Sequence, residues 1–243
     1  MQETKQNDIS KNKNTLIANG IFAFCLFVLT ILFLSTNTSA YLTRSVLGAI
    51  VIACAVYNLV LSKGKFKLSG KQLTFSILVM IAVVFNIVSD ILFVSNFALG
   101  ASFVAASRMC LVSAFIVLAG FSLRDSVISV VIFALCFLII TINKNFMFYG
   151  YNILIFSFVA VISLMVGKSI SNCFRVNNKL VYSFIVAGVV FLFLSDLFQI
   201  YYLFAGEIKA LNILSVAFYY PAMFVLALSI LIVNQNFISK TRI

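Results

Sequence analysis

The sequence contains no histidine, and only 9% of its 243 residues are charged. The missing histidine excludes zinc sites with imidazole ligands, Ser-His-Asp triads and haem held by histidine. Any proton chemistry must therefore use Asp, Glu, Tyr, Lys or water. The five cysteines form no Cys-x-x-Cys pair, and we expect them to act as small apolar side chains. The residue types present predict neither a metal nor a cofactor.

Charge is scarce because the composition is that of a membrane protein. Apolar residues make up 63% of the chain and the mean hydropathy is +1.17, whereas a soluble domain is about half apolar and about 25% charged. Such a chain cannot cover itself with polar surface, so we expect lipid to be its solvent. One proline and the lack of a long polar stretch leave no room for a soluble domain.

Eight apolar runs approach the length of about 20 residues that a helix needs to cross the bilayer. They cover approximately residues 15–34, 41–62, 72–95, 97–121, 126–142, 146–167, 180–204 and 210–233. The sequence therefore predicts an all-α membrane protein with eight transmembrane helices in residues 15–234. Residues 1–14 are predicted to be a polar, disordered cytoplasmic tail, and residues 235–243 a short cytoplasmic tail.

The basic residues predict the orientation of these spans. The net charge of +11 lies mostly in short loops, with no basic groove, so nucleic acid is not an expected partner. Thirteen Lys and Arg, Lys168 among them, fall on the side that holds both termini, and three fall on the other side, namely Arg44, Lys144 and Lys209. The positive-inside rule then places both termini in the cytoplasm of a cell-membrane protein.

The third and seventh spans each end near a Ser-Asp pair. Val-Val-Phe-Asn-Ile-Val-Ser-Asp ends at Asp90 and Val-Val-Phe-Leu-Phe-Leu-Ser-Asp ends at Asp196, and the offset of 106 residues also relates Gly100 to Gly206. This offset suggests two parallel four-helix repeats. A chance match between short apolar runs is the alternative.

Asp90 and Asp196 are the only acidic residues within the predicted spans, because Asp125 and Glu207 fall in predicted loops. An aspartate at a helix centre costs about 2.5–3.5 kcal/mol and usually faces a functional site in the protein interior. Two carboxylates in one low-dielectric cavity cannot both stay ionised easily, so they would supply a proton donor beside a base. The alternative is a pair of polar anchors that bond to neighbouring helices.

Four further polar residues of the spans are the predicted substrate-binding residues, namely Arg108, Tyr219, Asn86 and Tyr220. Arg108 would form an ion pair with one aspartate, bind a substrate phosphate bidentately, or snorkel along its helix. Asn86 lies one turn before the first aspartate and would hold a water or bridge two helices. Tyr219 and Tyr220 precede the only proline, where they would line a cavity or simply pack in the bundle.

Four short motifs carry a family resemblance. They are Ser-Asp-Ile-Leu-Phe in the third span, Phe97-x-x-Gly100, Phe-Leu-Ser-Asp196 and Tyr219-Tyr220-x-Ala222, spread over roughly residues 75–230. Together with the eight spans, this pattern resembles the lysoplasmalogenase-like (YhhN-type) family of membrane proteins. The chain departs from the family pattern at Ser89, near Arg108 and near Met223, where Gly, His and Gln are usual.

The resemblance implies an intramembrane hydrolase that cleaves the vinyl ether bond of lysoplasmalogen-type lipids, with Asp90 and Asp196 as its catalytic pair. Such hydrolysis begins with protonation of an alkene carbon, after which water adds to the oxocarbenium carbon, so two carboxyl groups suffice. Arg108 would then hold the phosphate. The alternatives are a catalytically altered member that binds lipid, or a proton-coupled transporter of small solutes with an aspartate in each repeat.

Overall fold

The computed structural model describes residues 2–35, 40–65, 68–175, 179–206 and 208–238. In these ranges the chain forms eight α-helices and no strand. The helices are α1 (Gln2–Ser35), α2 (Ala40–Lys65), α3 (Gly70–Ser95), α4 (Phe97–Ala119), α5 (Leu123–Ile142), α6 (Asn152–Arg175), α7 (Lys179–Phe204) and α8 (Lys209–Ile238). Each of the eight contains a stretch long and apolar enough to cross a membrane, which confirms the predicted all-α membrane fold.

The two predicted tails differ from what the structure describes. Helix α1 begins at Gln2, so the structure describes residues 2–14 as helix where the sequence predicted disorder. An apolar helix is already nucleated, and adding residues to it costs far less than starting a new one. Helix α8 continues to Ile238, and residues 239–243 of the predicted C-terminal tail lie outside the described residues.

The sixth helix begins later than the apolar run predicted, at Asn152 rather than at residue 146. The intervening aromatic residues form a turn, with φ of 49° at Tyr149 and 82° at Gly150. Phe146 is buried in a cluster with residues of α5, α6 and α7, and the Met147 N–H donates to the Phe204 carbonyl at 2.6 Å. The start of the run therefore packs on the end of α7 instead of crossing the membrane.

Asp125 and Lys168 were predicted to lie in loops, and the structure corrects both predictions. Asp125 lies in the first turn of α5 and Lys168 lies within α6, with 1% and 2% of their side chains exposed. Lys168 donates to Asp125 Oδ2 at 2.6 Å and also to the Gly120 carbonyl. Buried charges persist only when they are paired and hydrogen-bonded, and these two satisfy each other. Glu207, the other predicted loop acid, lies outside the described residues.

Six helices form a ring of contacts that runs α2, α3, α4, α6, α7, α8 and back to α2. Outside the ring, α1 packs on α2 and α8, and α5 packs on α6. Adding four to each helix number maps α2–α3 onto α6–α7, α3–α4 onto α7–α8 and α1–α2 onto α5–α6. Two parallel repeats would produce this relation, but among the described residues the α3–α8 and α1–α8 contacts have no counterpart. The repeat stays a prediction.

Asn96 reverses the chain between α3 and α4. Its N–H donates to the Leu92 carbonyl at 2.8 Å, which ends α3, and its side chain accepts from the Leu99 N–H at 3.0 Å, which starts α4. A Cβ atom at Gly100 would lie 2.8 Å from the ring of Phe93, so glycine is what allows the two helices to approach this closely. This tight hairpin brings side chains of both helices to one cavity.

Candidate functional site

A cavity of about 220 Å³ lies at the end of the bundle where α3 passes into α4. All six helices of the ring contribute side chains to its wall. Much of the wall is apolar and comes from residues such as Phe93, Phe97, Leu154, Phe158 and Leu203. The charged groups on the wall are two aspartates and two arginines, so the cavity joins an apolar chamber to a small polar centre.

The two aspartates selected from the sequence line this same cavity. Asp90 projects from α3 and Asp196 from α7, and each follows a buried serine. The side chain of Asp196 is 7% exposed, whereas Asp90 is half-buried. The structure thus brings together two carboxyl groups that are 106 residues apart in sequence, which is the first requirement for their joint action.

Arg108 holds Asp196 through a two-pronged ion pair. Its Nε donates to Asp196 Oδ2 at 2.8 Å and its Nη2 donates to Oδ1 at 2.7 Å. The arginine is fully buried, with 0% exposed. Parallel bonds of this kind fix both the position and the charge of a carboxylate. Of the three interpretations of Arg108, the observed contacts correspond to the ion pair with an aspartate.

Asn86 completes the surroundings of Arg108 behind the cavity wall. Its Oδ1 accepts from Arg108 Nη1 at 2.7 Å, and its Nδ2 donates to Ser107 Oγ at 2.7 Å and to Met223 Sδ at 3.3 Å. Asn86 is completely buried and is not part of the cavity wall. It therefore bridges α3, α4 and α8, the second of its two interpretations, and it orients the arginine from behind.

Asp90 has fewer and weaker polar partners than Asp196. The Tyr219 hydroxyl donates to Asp90 Oδ2 at a long 3.4 Å, and within the described ranges no Lys or Arg lies within 4.0 Å of this carboxylate. Tyr219 packs edge-on against Tyr220, with ring centroids 5.0 Å apart, and both tyrosines line the cavity beside Pro221 of α8. The two aspartates therefore have unlike partners.

A polar chain that the sequence analysis missed lies beside the Arg108–Asp196 pair. Ser195 donates to the Ser215 carbonyl at 2.9 Å, and the Ser215 hydroxyl donates to Gln199 Oε1 at 3.0 Å. All three line the cavity. Helical spacing would have found two of them, because Gln199 lies three residues after the second aspartate and Ser215 four residues before Tyr219.

Arg44 is a further site residue that the sequence analysis missed, because that analysis treated it only as a loop cation. It lies in α2 and lines the cavity with Asp90. The guanidinium carbon lies 5.8 Å from the ring centroid of Phe33 in α1, within the range of a cation–π contact. Its Nε is buried, and in the described part of the chain it has no hydrogen-bond partner.

Within the described ranges, no cluster of three or more His, Cys, Asp or Glu side chains is placed to hold a metal ion. The chemistry that these residues themselves can supply is proton transfer and charge stabilisation, from carboxyl, hydroxyl and guanidinium groups.

Comparison with known proteins identifies the family of this chain. No curated protein and no solved structure matches the chain. The sequence model of the YhhN family matches residues 64–230. The matched segment holds both aspartates, Arg108 and the tyrosine pair, while α1 and most of α2 precede it. Because the match covers more than half of the chain, this multi-pass membrane protein belongs to the YhhN family.

Proposed function

We propose that the protein is an intramembrane lipid hydrolase that cleaves the vinyl ether bond of lysoplasmalogen-type lipids. One observation carries the proposal: two carboxyl groups share a largely apolar cavity, and in the described part of the chain only one of them is ion-paired. Membership of the YhhN family is consistent with this activity. The proposed location is the cell membrane, with both termini in the cytoplasm, because 13 basic residues fall on that side and three on the other.

The unlike partners of the two aspartates suggest their roles. A carboxylate held by both prongs of a guanidinium stays ionised, so we assign Asp196 as the anion that stabilises developing positive charge. Among the described residues, Asp90 accepts only the weak bond from Tyr219, so we assign it as the carboxyl group that carries and donates the proton. Pairs of carboxyl groups in unlike environments commonly divide acid and charge-stabilising roles in this way.

The proposed reaction conserves every proton. The Asp90 carboxyl group donates its proton to the alkene carbon that is not bonded to oxygen, and the adjacent carbon becomes an oxocarbenium ion facing the Asp196 carboxylate. Water adds to that carbon, and the proton it releases restores Asp90. The resulting hemiacetal collapses to an aldehyde and a glycerophospho-alcohol. General acid catalysis and electrostatic stabilisation of the cation together lower the barrier.

The other predicted site residues receive supporting roles in this proposal. Arg108 and Asn86 hold Asp196 in place, since the guanidinium fork is already engaged by that carboxylate. Tyr219 orients Asp90 through its hydroxyl. Tyr220 lines the cavity beside it, and the alkyl chain of the lipid would lie along the phenylalanine and leucine side chains of the wall.

The test is aldehyde release from a lysoplasmalogen by purified protein. Asp90→Asn should lower kcat by about 10²–10⁴-fold, the usual loss on removal of a general acid. Asp8→Asn removes a carboxylate outside the membrane-crossing part of α1 and should leave turnover unchanged. Wild-type protein that releases no aldehyde from any vinyl ether lipid would refute the proposal. Proton-coupled solute uptake in vesicles, lost in Asp90→Asn, would instead support the transporter alternative.

A further inference from the structure

Arg44 is a charged residue of the cavity to which the proposed reaction gives no role. Among the described residues, four charged side chains line the wall, namely Arg44, Asp90, Arg108 and Asp196. Arg108 and Asp196 neutralise each other through the two-pronged pair. Asp90 must hold a proton if it is to act as the acid. During the proposed reaction, Arg44 is therefore the one charge on the described wall without an opposite charge within the cavity, so it is the group of the wall that is free to bind an anion.

The local geometry of Arg44 fits a group that awaits a ligand. Its buried Nε finds no hydrogen-bond partner among the described residues, and no described carboxylate lies within 4.0 Å of its guanidinium. The ring of Phe33 lies 5.8 Å from the guanidinium carbon and supports the side chain without using a donor. A guanidinium with free donors matches the geometry of a phosphate, to which it binds bidentately.

The position of Arg44 in the cavity indicates which anion it would bind. In a lysoplasmalogen, the vinyl ether and the phosphate are carried by the two ends of one glycerol, so the phosphate lies only a few bonds from the double bond on which the cavity would act. Arg44 and Asp90 line the same cavity of about 220 Å³ and interact electrostatically. A phosphate bound at Arg44 would therefore leave the vinyl ether in the part of the cavity that contains the aspartates.

We propose that Arg44 is the residue that selects the substrate, by binding the phosphate of a lysophospholipid head group at the cavity wall. The inference rests on the proposed hydrolase function and assigns a binding residue to the phosphate of its substrate. Arg44 lies before the segment that matches the YhhN family, and Phe33 of α1 acts as its positioning residue. The first two helices thereby contribute to the site.

Turnover by Arg44→Gln on two substrates tests the proposal. On a lysoplasmalogen, the variant should lose about 10- to 100-fold in kcat/KM, mostly through KM, the usual effect of removing a charge-assisted hydrogen bond that positions the substrate. On 1-alkenylglycerol, which has the vinyl ether but no phosphate, it should match the wild type. Equal losses on both substrates would overturn the proposal, because Arg44 would then act on Asp90 instead of on phosphate.

Two further variants control this comparison. Lys144→Gln removes an exposed cation from the α5–α6 connection and should not change turnover of either substrate. Arg44→Lys keeps the charge but loses the fork, so it should recover part of the lost affinity. If Arg44→Lys is as impaired as Arg44→Gln on the lysoplasmalogen, the positive charge does not bind the phosphate and the proposal is wrong.

A binding measurement separates failure of this inference from failure of the proposed function. In a maltoside detergent free of phosphate, 1-alkyl lysophosphatidylethanolamine, which has no cleavable double bond, should raise the Tm of the wild type more than 1-alkylglycerol does. Arg44→Gln should lose that difference even if no vinyl ether lipid is ever cleaved. No difference in the wild type would overturn the phosphate site. An equal response to inorganic phosphate alone would overturn the assignment to a lipid head group.

Discussion

Replacing Asp196 by asparagine should destabilise the protein far more than the same replacement of Asp90. The Asp196 carboxylate receives two hydrogen bonds of 2.7 and 2.8 Å from Arg108, whose side chain is fully buried. Asparagine would leave that guanidinium buried without a counterion. Removing one partner of a buried ion pair costs about 3–5 kcal/mol, because the remaining charge has lost its compensation.

Asp90→Asn should cost less than about 1 kcal/mol, because the only hydrogen bond described for Asp90 is the 3.4 Å contact from Tyr219, and an amide oxygen also accepts it. A chain of this size loses roughly 2–4 °C in Tm per kcal/mol. The expected fall in Tm is therefore roughly 6–20 °C for Asp196→Asn and a few degrees at most for Asp90→Asn.

The chain offers its own reporter for this measurement. It has no tryptophan, but Cys54 and Cys136 are buried and free. A maleimide dye that fluoresces on reaction with thiols would report their exposure during heating in detergent.

A double variant, Arg108→Met with Asp196→Asn, is the control. Removing both charges should recover most of the lost Tm without recovering turnover, since replacing a whole buried pair by neutral residues is often close to neutral. Equal Tm values for Asp90→Asn and Asp196→Asn, or no recovery in the double variant, would refute the buried ion pair as the source of the difference.

Three other substitutions give distinct expectations. Gly167→Ala should lower Tm, at a cost of about 1–3 kcal/mol, because a Cβ there would lie 2.7 Å from the backbone nitrogen of Ser129; an unchanged Tm in the thiol-dye assay would contradict this close approach. Lys168→Met should cost up to about 3–5 kcal/mol, because the only cationic contact that Asp125 keeps among the described residues is the 3.9 Å one from Arg175, and additional loss of that carboxylate by Asp125→Asn should recover part of it in the same assay. Tyr219→Phe should keep Tm but lower kcat by up to about tenfold, the value of one neutral hydrogen bond, as measured by aldehyde release.

Hydropathy was sufficient to predict the eight helices, since each span is long and apolar. Hydropathy failed where packing decides which of two equally apolar segments crosses the membrane. Residues 146–151 look like the start of a span, but Phe146 is buried on the end of α7 and the chain turns at Gly150 before α6 begins. Lys168 looked like a loop residue because a lysine in a span is costly, and only a partner from α5 removes that cost.

The candidate site was predictable to the extent that charge is expensive in a membrane. That cost singled out Asp90, Asp196 and Arg108, and the structure places all three on one cavity. The choice of Asp196 as the partner of Arg108 depends on which helix faces point inwards, and single-sequence reasoning does not give that. Arg44 was missed for the same reason, because an arginine near a helix end usually faces the interface, and only the ring of helices turns this one towards the cavity.

Hydrolysis of a lysoplasmalogen in D₂O tests the central claim most directly. Protonation of the alkene carbon by Asp90, whose acidic proton exchanges with solvent, should place one deuterium on the carbon next to the aldehyde group. Reducing the aldehyde to the alcohol as it forms prevents later exchange, and mass spectrometry then counts the label. The account predicts one deuterium per product from the wild type and product formation slowed by about 10²–10⁴-fold in Asp90→Asn. Aldehyde without deuterium at that carbon, or labelled aldehyde formed equally fast by Asp90→Asn, would contradict it.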